Sequence, residues 1–160
     1  MNRLRLWWMR TAFNFFPCYR RTGARITAIS PDMKQVRIKL PLNWTTRGYW
    51  GTTFGGSLYG AVDPVYLVML ARNLGKGYMI WDKSASIQFK RPGRGTLYAT
   101  FILTDGELDA IRASLIAEPK IDRTYHVDLV DSAGEIHATV EKIVHIRRPR
   151  DPANPADNKR

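Results

Sequence analysis

Val36, Ile38 and Leu40 share one parity of the chain, and Gln35, Arg37 and Lys39 share the other. That alternation predicts a strand over 35–40 with one wet face. Residues 24–30 form its expected hairpin partner through the turn Ser30-Pro31-Asp32. Residues 43–56 are rich in Thr and Gly and read as a loop. From 57 to 74 the chain is apolar on nearly every side, and Gly75 stands where a C-terminal cap belongs. A helix hydrophobic all round must be buried. Ser86–Arg91 alternates again through Ile87 and Phe89, whereas Leu97–Thr104 is apolar on both parities and suits a central or interface strand. Residues 107–118 read as a short helix or an irregular connection. Thr124–Asp131 and Glu135–Ile146 flank a Ser132-Ala133-Gly134 turn and predict a long hairpin. Near the start, Leu4, Trp8, Ala12, Phe15 and Phe16 recur at helical spacing until Pro17 stops them. These elements predict an α+β fold, an antiparallel sheet around one long buried helix. The expected divisions are an N-terminal amphipathic helix at 1–18, a main domain at 19–147, and a flexible basic, Pro-rich tail at 148–160.

Composition narrows the class. A chain of 160 residues buries one sizeable core without disulfides or metal. The lone Cys18 excludes an intrachain disulfide framework and any multi-cysteine metal site, and reads as a small buried residue. No run approaches the ~18 apolar residues of a membrane span. The net charge of +11 suggests nucleic acid until it is divided: residues 1–25 carry +6, residues 147–160 carry +3, and the rest only +2. A nearly neutral centre without a recognised motif argues against a nucleic-acid face. The basic N-terminal helix has two readings, one packed on the domain or a subunit contact, the other lying on anionic lipid.

Candidate chemistry concentrates between Gly48 and Pro64. Gly55 and Gly56 stand where a loop enters the buried helix. The first amides of a helix lack internal partners and can polarise a carbonyl oxygen. The plain alternative is a tight turn that uses glycine for steric reasons. Asp63 is the only formally charged residue from Gly48 to Ala71. A carboxylate there must be hydrogen-bonded, protonated or facing a cavity. Burial raises the pKa of such a group, which suits a general base, although it could equally satisfy backbone disrupted by Pro64. Thr52, Thr53 and Phe54 precede the glycines as candidate binding residues. Lys90, Arg91 and Arg94 surround Pro92-Gly93 at a strand end, where clustered cations suit phosphates. Trp81, Asp82 and Lys83 read as a helix–strand corner with Asp82 and Lys83 paired. His126, His137 and His145 read as ordinary strand residues.

Several separated segments, taken in order, carry a family resemblance. They are Gly51-Thr-Thr-Phe-Gly-Gly-Ser-Leu-Tyr, Asp63-Pro64-Val-Tyr, Trp81-Asp-Lys-Ser-Ala85 and Phe89-Lys-Arg-Pro-Gly93. Over roughly residues 20–147 the chain resembles the hotdog-fold acyl-CoA thioesterases and, within them, the DUF4442 group. The resemblance implies a hotdog fold and hydrolysis of an acyl thioester. Asp63, seven residues after Gly56, would serve as general base or nucleophile, and the Gly55 and Gly56 amides as oxyanion donors. It implies no cofactor beyond the coenzyme A of the substrate, and a homodimer or dimer of dimers with the site between subunits. The implied location is cytoplasmic, with peripheral membrane contact through residues 1–18 as an addition. Phe54 stands where related thioesterases carry His, and Gly48 where they often carry Asn. A second reading is therefore a hotdog protein that binds acyl-CoA or lipid without turnover.

Overall fold

The computed structural model describes residues 3–149, so the expected tail lies outside the described residues from 150 onward. Two short helices, α1 (Arg3–Phe15) and α2 (Pro17–Arg21), precede a hairpin of β1 (Arg25–Ile29) and β2 (Gln35–Leu40). The central helix follows as α3 (Gly55–Val62) and α4 (Val65–Leu74). The chain continues through β3 (Met79–Phe89), β4 (Leu97–Ile102), α5 (Asp105–Ala117), β5 (Lys120–Val130) and β6 (Ile136–Arg147). All six strands form one antiparallel sheet in the order β1-β2-β4-β5-β6-β3.

The periodicities locate the core. Val36, Ile38 and Leu40 are buried as their alternation predicts, and Leu97, Ala99 and Phe101 do the same on β4. They meet the inner face of the central helix, where Leu58, Val62, Met69 and Leu70 are buried in the same cluster. The single helix expected over 57–74 starts at Gly55 and breaks at Asp63-Pro64. Proline has no N–H to continue the ladder, so α3 ends at Val62, two residues before it, with Asp63 as its cap. The uncertain stretch at 107–118 belongs to a thirteen-residue helix, whose cap is the Thr104 side chain accepting from the Glu107 amide.

Helix α1 packs on β1, but not through its apolar stripe. Asn14 exchanges two hydrogen bonds with the backbone of Ile26, at 2.7 and 3.0 Å, and Arg10 donates to the Thr27 carbonyl. These polar contacts turn Phe13 inward and leave Trp8, Phe15 and Phe16 exposed. Cys18 is exposed as well, not buried.

Strand β3 begins at Met79, seven residues before the expected Ser86. Trp81, Asp82 and Lys83 are strand residues rather than a corner. A bulge between Asp82 and Ser84 hid them. Asp82 faces Val144, on the inward parity of β6, and after the bulge Ala85 and Ile87 face Lys142 and Val140 on that same parity. The extra residue shifts inward positions from even to odd, so one alternation cannot cover the whole strand.

Candidate active site

The loop before α3 is built from polar staples. The Thr46 hydroxyl donates to the Pro41 carbonyl at 2.6 Å, and the Phe54 amide donates to the Thr46 carbonyl at 2.8 Å. Thr53 is buried, and both its amide and its hydroxyl donate to the Gly93 carbonyl, at 2.9 and 3.3 Å. A Cβ on Gly93 would lie 2.7 Å from the Thr53 hydroxyl, which is why glycine is required there. This staple brings the turn of Lys90, Arg91 and Arg94 beside the start of α3. Lys90 and Arg94 are exposed and form no ion pair among the described residues, whereas Arg91 pairs with Glu135. His137 supports the same turn through its contact with the Pro92 carbonyl, at 3.1 Å. Thr52 is half-buried, and its carbonyl accepts the Gly48 amide.

At the helix start the amides of Ser57 and Leu58 donate to the Phe54 carbonyl. Those of Gly55 and Gly56 point ahead of the first turn, the place where helix amides lack internal acceptors. Two aromatic rings cover this end. A Cβ on Gly56 would lie 2.4 Å from the Phe54 ring, and one on Gly55 would lie 3.1 Å from the Phe89 ring. Gly56 is thus needed for the close approach of Phe54 whatever its amide does.

Asp63 lies at the break between α3 and α4, and it is not a lone charge. Lys142 on β6 is completely buried, and its three ammonium donors are all used. They go to the Asp63 carbonyl, to Asp63 Oδ1 at 3.0 Å, and to Asp82 Oδ2 at 2.8 Å. Asp82 therefore pairs with Lys142, not with the adjacent Lys83, which reaches Asp122 instead. The Asp63 side chain keeps 41% of its surface exposed, while Asp82 Oδ1 is buried without a hydrogen-bond partner. Tyr59 lies one helical turn before Asp63. Burial first, then the neighbouring carboxylates of Asp63 and Asp82, raise its phenol well above the ordinary value. The Lys142 ammonium also lies 5.9 Å from the centre of the Tyr59 ring.

Sequence reasoning singled out Asp63 but not Lys142 or Tyr59. The signal for Lys142 is a lysine inside the inward series Ala138, Val140, Val144 and Ile146. A charge on the apolar parity of a strand needs a partner opposite. The signal for Tyr59 is its four-residue spacing from Asp63.

One helix, broken at Asp63-Pro64 and set against a six-stranded antiparallel sheet, defines a hotdog-fold protein. The chain belongs to the family described as Domain of unknown function (DUF4442), which it matches over residues 6–146. No curated protein matches it. Among solved structures it is similar to a Pseudomonas aeruginosa protein of unknown function named as a probable thioesterase. Identity is 18% and the TM-score 0.76, covering 87% of this chain and 93% of that one. A Chlorobaculum tepidum protein of unknown function is 13% identical with a TM-score of 0.71, covering 90% and 94%. A Haemophilus influenzae thioesterase is 11% identical with a TM-score of 0.67, covering 93% and 94%.

Proposed function

We propose that the protein hydrolyses an acyl-CoA thioester, with Asp63 as general base or nucleophile. The observation that carries this reading is the open carboxylate at a helix break, held from behind by a buried lysine. Lys142 occupies one oxygen of Asp63 and fixes the group's direction, leaving the other oxygen for water or for direct attack on the carbonyl carbon. In the general-base route, water adds to that carbon as Asp63 takes its proton. The carbonyl oxygen gains charge, which helix-start amides stabilise. The C–S bond then breaks, and the thiolate leaves with little need of acid help.

Seven residues at ~1.5 Å of rise separate Gly56 from Asp63 by about 10 Å along one helix. A second copy would bring the carboxylate of one chain towards the helix start of the other. The free edge of β3 supports that arrangement, because it ends the sheet and exposes Met79, Trp81 and Phe89. Thr52, Thr53 and Phe54 would then border the acyl thioester. Lys90 and Arg94 would meet coenzyme A phosphates, with Arg91 held by Glu135 at their side.

One observation favours a second reading, binding of acyl-CoA or lipid without turnover: the apolar ring of Phe54 closes on the side of Gly56 at the start of α3 and brings no acid or base there. Thiol release from short, long and aromatic acyl-CoAs, by wild type and Asp63→Asn, separates the two. Turnover that collapses in the variant supports hydrolysis. Binding of acyl-CoA by wild type without thiol release leaves the binder.

A further inference from the structure

We propose that the outward face of α1, with an arginine-lined cavity beside α2, docks the protein on an anionic phospholipid bilayer. The face is apolar by construction. Asn14 and Arg10 tie one side of α1 to β1, and Trp7 lies on that side, over a hollow shared with Arg10, Thr27, Ala28 and Ile29; Trp8, Phe15 and, just past the helix end, Phe16 project with 60–63% of their surface exposed. Trp7, at the border of that face, packs edge to face against Trp8, with 5.1 Å between ring centres. No helix among the described residues is long and apolar enough to cross a membrane. An aromatic face on a short helix suits the boundary between headgroups and acyl chains.

The second observation is electrostatic. Residues 3–31 contain six arginines and no acid. Three of them, Arg20, Arg21 and Arg25, line a cavity of about 600 Å³ together with Phe15, Asn43 and Thr45. None of the three forms an ion pair among the described residues. Arg20 lies 5.4 Å from the centre of the Phe15 ring, joining the charged cavity to the aromatic face. Trp44, between the two loop residues of that wall, is 89% exposed. A guanidinium-lined hollow with hydroxyl and amide donors suits a phosphate headgroup, and the adjacent rings suit the apolar layer beneath it. A second copy placed face to face would oppose arginine with arginine and supply no carboxylate. Charge complementarity therefore selects the anionic bilayer as occupant.

The test is co-sedimentation of the full chain with vesicles of phosphatidylcholine alone or with phosphatidylserine added. Binding should require phosphatidylserine and weaken with salt. Replacing Arg20 and Arg21 by Ala should lower affinity roughly fivefold per arginine. Trp8→Ala with Phe15→Ala should lower it at least about tenfold, because two interfacial rings leave the bilayer. All four positions are exposed, and circular dichroism matching wild type would confirm that each variant folds. Absence of binding to phosphatidylserine vesicles overturns the proposal. So does equal binding to neutral vesicles, or binding unchanged in both variants. Self-association that the aromatic variant abolishes, without vesicle binding, overturns it in favour of a contact between copies. Hydrolysis enters none of these readouts, so the proposal stands or falls apart from the thioesterase reading.

Discussion

Two clusters in this chain join a cation to a carboxylate and a tyrosine, and they are finished to different degrees. In the first, Glu107 of α5 receives Arg123 of β5 on both oxygens, with Nε to Oε1 at 2.9 Å, and Tyr125 donates to Oε1 at 3.0 Å. Burial pushes the Glu107 carboxyl up, but the Arg123 and Tyr125 bonds outweigh it, so it titrates below its usual value. In the second, one buried lysine serves two carboxylates, one oxygen of Asp82 is left over, and Asp63 reaches the surface. The closed cluster fastens a helix to the sheet with both oxygens of its carboxylate bonded. The open one carries more negative than positive charge at the break of the central helix. On the proposed reading, the open cluster is left incomplete because it receives a substrate.

Breaking the open cluster should have the largest effect. Lys142→Met leaves Asp63 and Asp82 facing each other and should destabilise the fold by about 3 kcal/mol, the low end for a broken buried pair because both acids reach water. Denaturant midpoints would measure the loss, and an unshifted midpoint would mean that the lysine is incidental. Asp63→Asn should separate stability from chemistry. It should shift the midpoint by about 1 kcal/mol or less while cutting thiol release by 10²-fold or more, roughly the contribution of general acid–base catalysis. Glu107→Gln should do the reverse, costing about 1 kcal/mol at neutral pH and leaving turnover unchanged.

Its pH dependence has a definite sign. Glu107 titrates lower in the folded state, so its contribution is present above the unfolded value of about 4.3 and fades as pH falls through the lower folded value. Thermal melts of wild type and Glu107→Gln should therefore converge in acid; a constant gap down to the lowest pH would contradict the closed cluster. The smallest effect is expected for Arg123→Lys, which keeps the charge and loses the fork, at about 0.5 kcal/mol.

The contrast also explains what was legible in the sequence. Strand β2 and the inward parity of β6 each hold one alternation throughout, so local spacing places them, whereas the apolar run of the central helix is legible but its break is set by Pro64. Asp63 stood out because nothing charged surrounds it in sequence. Lys142 and Asp82 did not, since one belongs to a strand 79 residues away and the other had an apparent partner next door. The same limit applied to α1, whose stripe is a true amphipathic pattern. Only the bonds of Asn14 and Arg10 show which side of that helix is turned to the sheet.

The bulge in β3 makes the site a matter of counting. Lys83 is the residue that puts Asp82 and Ala85 on one side of the sheet. Delete it, and every side chain before it would trade sides while keeping its chemistry: Asp82 would leave the lysine for solvent, and Trp81 would be driven towards the core. In this scaffold a carboxylate can be added to or withdrawn from the central break by changing the length of one strand by a single residue, with no acid or base replaced. Relatives that keep Asp63 and Lys142 but differ by one residue before Ala85 would then share the ingredients and not the arrangement.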